Sequence, residues 1–296
     1  METAANKPKV DSRVIALYNE YIHTTTMTRA QFIARVTRIA GGSAAAAAIL
    51  PLIEPNYAQA RQVAEDDNRL ETGYITYDGM TGKVKAYSAR PKGAGKLPAV
   101  LVIHENRGLN EHIEDVARRA ALAGYFAIAP DGLSSAGGAP KDQEAARDLF
   151  SKTDAAKIAA DVEAGVPFLT KHPNSTGKVG SVGFCYGGGM SLRCAVDVPG
   201  LTAAAGFYGR ALSPADVAKL KVPIMMHYAG DDPGINGGIN DFRAALDASK
   251  VSYSINMYPG TGHGFHNDTG AARYNADAAK LAWGRTVAFW DTFLKV

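Results

Sequence analysis

The stretch that most constrains this chain runs from Val179 to Met190, Val-Gly-Ser-Val-Gly-Phe-Cys-Tyr-Gly-Gly-Gly-Met. An apolar run ends in a Gly-x-Cys-x-Gly pattern and passes into Ser191-Leu192-Arg193-Cys194-Ala195, which reads as helix. Strand, sharp turn and helix in that order form a nucleophile elbow, with the reactive side chain on a strained backbone at the strand tip. Gly183 and Gly187 flank Cys185 because a Cβ at either place would meet the turn or the adjoining element. A helix opening just after the thiol points free N–H groups and the positive dipole end at sulfur, which favours thiolate near neutral pH. The competing reading of Cys185 is a buried structural cysteine beside a tight turn. A phosphate-binding loop is not indicated, since neither Gly-x-Gly-x-x-Gly spacing nor a Gly-Lys-Ser/Thr ending is present.

The rest of the chain supplies a setting for such an elbow. At 296 residues and 46% hydrophobic content it can bury one large α/β core and carry an extension. From about Glu71 onward short strands alternate with helices. Thr72 to Tyr77 and Val84 to Ala89 read as an antiparallel hairpin, and Pro98 to His104 as a buried parallel strand. A helix over Glu111 to Ala123 precedes a strand at Tyr125 to Ala129, and two helices fill Asp142 to Lys171. After the elbow come strands at Ala203 to Tyr208, Pro223 to Tyr228 and Val251 to Tyr258, then a helix over Ala276 to Leu294. This alternation predicts a mostly parallel sheet with helices on both faces, binding its ligand beyond the carboxyl ends of the strands.

Residues 1–68 read as a helical N-terminal extension, and 69–296 as the α/β domain. Helices are expected over Ser12 to Tyr21 and Thr28 to Ile39. Arginines 29, 35 and 38, then the apolar stretch 41–53, then Ala58-Gln59-Ala60 follow the order of an export signal, which would make the protein periplasmic. The apolar stretch starts late for such a signal and no twin-Arg pair precedes it. A retained extension packing on the main domain or on a second subunit, in a cytoplasmic protein, is the expectation preferred here. The stretch is too short and too broken by Gly and Pro51 to span a bilayer. Thirty-two basic against 29 acidic residues give no reason to expect nucleic acid. Two cysteines do not make a disulfide framework, and no Cys/His cluster has zinc spacing.

Three further strand ends carry polar residues suited to one pocket: His104-Glu105-Asn106-Arg107-Gly108, Tyr228-Ala229-Gly230-Asp231-Asp232 and Gly262-His263-Gly264-Phe265-His266. A thiol nucleophile needs a base within hydrogen-bond reach, and the base needs a third group to fix its tautomer. Nucleophile, acid and histidine follow in the α/β-hydrolase chain order. Asp231 competes with Asp232 for the acid position, and His266 with His263 for the base.

On Gly183-Phe184-Cys185-Tyr186-Gly187-Gly188, the run ending at Asp232, Gly262-His263-Gly264-Phe265 and the segment 104–108, the chain from about Thr72 onward resembles the dienelactone hydrolase family of the α/β-hydrolase fold. The resemblance implies a Cys185–His263–Asp232 triad that opens a small lactone or ester by acyl transfer to sulfur, with no cofactor and no metal. It also implies that Glu105 tunes the thiol, and it favours Asp232 and His263 over their neighbours. The extension lies outside the basic family pattern and resembles only a longer bacterial subgroup. Developing charge on the carbonyl oxygen needs pre-aimed donors, expected from the backbone N–H groups of Tyr186 and Asn106. Arg107 and Arg210 are candidates to hold a substrate carboxylate, and Tyr208 and Phe265 to line an apolar wall. The partner is then a small-molecule lactone or ester, with a homodimer through the extension as a further expectation. A peptidase or acyl transferase with the same triad, and a redox-sensing or binding protein on the same fold, are the rival readings.

Overall fold

The segment Leu97–Ile103 shows why the chain layers as it does. Successive side chains on a strand point to opposite faces. Ala99, Leu101 and Ile103 enter one apolar cluster, while Val100 and Val102 enter another on the opposite side. All five are fully buried, so this strand has no solvent face and must be covered twice.

The protein, seen as a computed structural model, is described over residues 10–23, 27–54 and 62–296. Three helices lead: α1 (Ser12–His23), α2 (Arg29–Ala40) and α3 (Ser43–Ile53). The hairpin β1 (Leu70–Asp78) and β2 (Lys83–Pro91) follows, then β3 (Leu97–Ile103), α4 (Glu111–Leu122) and β4 (Phe126–Pro130). Next come α5 (Gln143–Lys152), α6 (Ala155–Glu163), α7 (Gly165–Lys171), β5 (Ser175–Phe184) and α8 (Tyr186–Asp197). The chain ends with β6 (Leu201–Phe207), α9 (Pro214–Val217), β7 (Ile224–Asp231), α10 (Pro233–Asn236), α11 (Ile239–Ala248), β8 (Tyr253–Gly262) and α12 (Ala276–Leu294).

The eight strands form one sheet in the order β1-β2-β4-β3-β5-β6-β7-β8. The hairpin pairs β1 with β2 antiparallel and joins the rest of the sheet antiparallel through β2 and β4, while the remaining five pairings are parallel. This is an α/β-hydrolase sheet with helices on both faces. Val162, Val166, Leu192 and Phe242 cover one side, and Val116, Ala120, Trp290 and Leu294 the other.

Segment 142–171 holds three helices where two were expected. Asp154 caps a fresh start, its carboxylate accepting from the Ala156 N–H at 2.9 Å. Pro167 has no N–H to donate to the Glu163 carbonyl one turn back, so the chain re-enters a new helix at Gly165. The short helices after β6 and β7 carry too few periodic positions to be read from sequence.

The extension is helical as expected. Thr28 and Gln31 form a reciprocal capping box that starts α2, and α3 runs two residues beyond Pro51. These helices share a small core of their own, with Tyr18, Tyr21, Phe32 and Val36 at its centre. Among the described residues no single helix is long and apolar enough to cross a membrane, and α2 meets α3 at 114°. Ala58-Gln59-Ala60 lies outside the described residues.

Because Leu101 is buried in a central strand with both faces covered, Leu101→Ala leaves a hole that neighbours refill only in part. It is expected to cost about 2–5 kcal/mol. Urea unfolding should show this as a lower midpoint at unchanged slope.

Candidate active site

Cys185 sits between the end of β5 and the start of α8 with φ 54° and ψ −113°, a left-handed conformation that a residue with a Cβ rarely takes. Neighbouring backbone holds it there. Its N–H donates to the Phe207 carbonyl at 3.0 Å, and its own carbonyl accepts from the Gly188 N–H at 3.0 Å. A Cβ on Gly183 would lie 1.8 Å from the Gly187 carbonyl oxygen, and one on Gly187 would lie 2.3 Å from that of Ile103. The strand, the turn and the helix therefore meet at a distance that only glycine allows. The thiol is half-buried and free, whereas Cys194, one turn from the end of α8, is fully buried and its thiol is pushed up by burial.

His263 follows β8 and Asp232 follows β7, so two neighbouring strand ends deliver them together. Asp232 Oδ2 accepts from His263 Nδ1 at 2.6 Å, with both side chains buried. Burial alone would lower the imidazole pKa. The negative charge of Cys185 and hydrogen bonds with Asp232 and Cys185 overcome it and push the value up to about 9. Nδ1 thus faces the carboxylate while the ring also engages the sulfur.

The rival residues occupy other surroundings. Asp231 is exposed at the end of β7. His266 is buried against Phe184, with ring centroids 5.0 Å apart, and burial first, then Arg119 and His112, hold its pKa well below the usual value.

Glu105, in the loop after β3, is buried and accepts from Asn267 Nδ2 at 2.9 Å. Asn267 is held in turn by the Thr269 N–H, which donates to Oδ1 at 3.1 Å. One residue further, Asp268 accepts from His112 at 3.1 Å and pairs with Arg119, which pins the loop after His263 onto α4. His104 shapes the other side of the Glu105 turn. Its Nδ1 lies 2.6 Å from the Glu105 carbonyl, and its Nε2 accepts from the Gly132 N–H at 3.0 Å. Those partners require the proton on Nδ1, and burial keeps the ring neutral by lowering its pKa.

A cavity of about 500 Å³ opens over Cys185. Tyr186 and Asn106 line it beside the thiol, and its walls include Phe150, Ile158, Met190 and Ile22. Of the four residues expected to touch substrate, Arg210 lines this cavity and the other three do not. Arg107 is buried, its guanidinium reaching Asn106 Oδ1 at 3.2 Å and the Tyr18 hydroxyl at 3.4 Å. Tyr208 and Phe265 are fully buried, packed edge-on with centroids 5.6 Å apart. Tyr208 belongs to the support of the site instead. It has φ 39°, its ring meets His263 edge-on at 4.8 Å, and burial plus the charges of Glu105 and Cys185 raise its pKa. Asn267 and the cavity walls from α5 and α6 were not anticipated, since a lone Asn in a loop and apolar helix faces carry no chemical signature.

Residues 84–294 match the model of the dienelactone hydrolase family. The chain belongs to that family. It is accordingly a hydrolase of lactones or esters, acting on a small molecule. A protein of Methylorubrum extorquens named "Putative carboxymethylenebutenolidase" is 33% identical over 276 residues, covering 88% of this chain and 91% of its own. A "Putative hydrolase fragment YghX" of Escherichia coli is 52% identical over 112 residues, covering 37% of this chain and 96% of its own. Among solved structures, a "Putative Dienelactone Hydrolase" from Klebsiella pneumoniae superposes with a TM-score of 0.67 at 30% identity, covering 75% of this chain and 98% of its own.

The raised imidazole pKa has a direct readout. NMR titration of His263 should show the charged ring persisting to about pH 9. In Asp232→Asn the accepting carboxylate is gone, and the midpoint should fall toward the ordinary value of 6.5. An unchanged midpoint would remove Asp232 as the partner.

Proposed function

We propose that this hydrolase cleaves its lactone or ester through a covalent acyl-thioester on Cys185, with His263 moving the proton and Asp232 orienting the ring. The observation that carries the reading is the convergence of three strand ends, with Asp232 2.6 Å from His263 Nδ1 and Cys185 acting on the same ring.

The sulfur anion attacks the carbonyl carbon, a C–S bond forms and the carbonyl electrons move to oxygen. Backbone N–H groups of Asn106 and Tyr186 would hold that oxyanion, as both residues flank the thiol in the cavity. Collapse breaks the C–O bond, and the imidazolium of His263 gives its proton to the departing alkoxide. In a lactone that alcohol stays tethered to the acyl group. Water then attacks the thioester while neutral His263 takes its proton, and thiolate leaves as the carboxylic acid is released. Asp232 holds the tautomer and stabilises the imidazolium in both halves. Glu105 is clamped by Asn267 and, like Cys185, acts on the Tyr208 hydroxyl. Its role in this reading is to tune when the thiolate is exposed to substrate.

Cys185→Ala removes the nucleophile and should lower turnover of p-nitrophenyl acetate and of a simple lactone by about 10³–10⁶-fold. Mass spectrometry after brief mixing with the activated ester should find the acyl mass on Cys185 of the parent. Parent-level activity in the Ala variant would end the assignment. Oxidation of Cys185 without any acyl adduct would favour the redox-sensor reading.

A further inference from the structure

The N-terminal helix α1 ends at the mouth of the catalytic cavity. The last carbonyls of any helix lack partners within it and must be satisfied from outside. Here residues around the active site do so. Asn106 Nδ2 donates to the Ile22 carbonyl at 2.9 Å, and Arg147 Nη2 donates to the Tyr21 carbonyl at 2.5 Å. Arg147 also lies 3.9 Å over the Tyr21 ring, whose hydroxyl bonds Glu144 on the same helix, α5. Tyr18, one turn earlier, meets Arg107 through its hydroxyl and Arg273 through its ring face at 4.9 Å. Arg273 in turn donates to the His263 carbonyl at 3.2 Å.

These bonds hold α1 against the loop after β3, against the loop carrying His263 and against α5. They leave one side chain of the extension, Ile22, lining the same cavity as Cys185. Ile22 is nearly buried, and the surfaces it shares the cavity with are largely apolar: Phe150, Ile158, Met190, Leu212 and Ile235. Such a wall discriminates by size, because a substrate group that overfills an apolar pocket gains no further burial and must displace packed atoms.

We infer that Ile22 is a specificity-determining residue, through which the extension limits the size of the apolar group a substrate can place beside Cys185. The inference rests on the hydrolase reading above for its substrate class, esters or lactones with an apolar acyl or alcohol part.

The test uses the full chain as parent, Ile22→Ala and Ile22→Trp, with Cys185→Ala as the blank. Two ratios are read: kcat/KM for p-nitrophenyl octanoate over acetate, and the alkylation rate of Cys185 by N-octylmaleimide over N-methylmaleimide. Buried Cys194 is distinguished by peptide mapping. Ile22→Ala should raise both ratios by about tenfold, and Ile22→Trp should lower both. Should the Trp variant fail to fold by circular dichroism, the Ala variant alone decides. Neither ratio moving in a folded variant overturns the inference, even with ester turnover intact. Alkylation ratios that move without any Cys185-dependent ester turnover would keep the wall and sink the hydrolase mechanism. Were the two ratios to disagree, the alkylation ratio decides, since it reads access to sulfur alone.

Discussion

The close approach of backbone to backbone at the tip of β5 is the constraint from which the rest of the site follows. Gly183 and the first turn of α8 stand so near each other that a methyl group on Gly183 would overlap the Gly187 carbonyl. Gly187 in turn lies hard against the end of β3. With that space closed, the one residue between strand and helix is forced into positive φ and its side chain is pushed above the sheet. The strain at Cys185 persists because parallel pairing on both sides of β5 leaves the backbone no room to relax. Once the thiol is fixed there, its partners can come only from strand ends that share the same rim, and β7 and β8 supply them.

Burial then sorts the histidines by what faces them. His104, His227, His263 and His266 are all buried, and desolvation works against a charged ring in each. His227 bonds the Tyr258 hydroxyl at 2.9 Å and Thr286 at 2.9 Å, both neutral, and its pKa falls to about 3. His104 is spent on a backbone carbonyl and a backbone N–H. His263 alone among these four moves upward, because the Cys185 sulfur and the Asp232 carboxylate address the same ring. Burial thus lowers three of these imidazoles, while the charges facing His263 reverse its effect there.

The elbow was legible because its chemistry is written in contiguous residues: Gly at two fixed offsets around a Cys, after an apolar run. The layered sheet was legible from period-two burial in β3 and from strands alternating with helices. Asp232 and His263 stood apart from Asp231 and His266 only through resemblance. Their burial and pairing depend on loop paths that no local pattern encodes. Arg107, Tyr208 and Phe265, expected to touch substrate, do not line the cavity, and for one reason. A position just past a strand places a residue at the rim, but what covers the rim decides whether its side chain meets solvent, substrate or protein. At Arg107 the cover is Tyr18, some ninety residues earlier in the chain. Nothing local marks Asn267, whose amide reaches Glu105 from 162 positions away in sequence.

The extension shows how dependence between two parts of a chain arises from unsatisfied groups. Its own core is small, centred on Tyr18, Tyr21, Phe32 and Val36. What holds it in place is polar and directional: helix-end carbonyls that need donors, and tyrosines stacked under guanidinium groups of the catalytic domain. The benefit runs both ways. Asn106 and Arg147 line the cavity and Arg107 is buried against Asn106, and α1 offers these donors acceptors and a ring face. Removing α1 would cost Asn106, Arg107 and Arg147 these bonds, and removing those donors would cost the Tyr21 and Ile22 carbonyls theirs. A segment joined to the catalytic rim in this way cannot shift without moving the loop that carries Asn106. The rim of the cavity and the seating of α1 are therefore linked through Asn106 and Arg147.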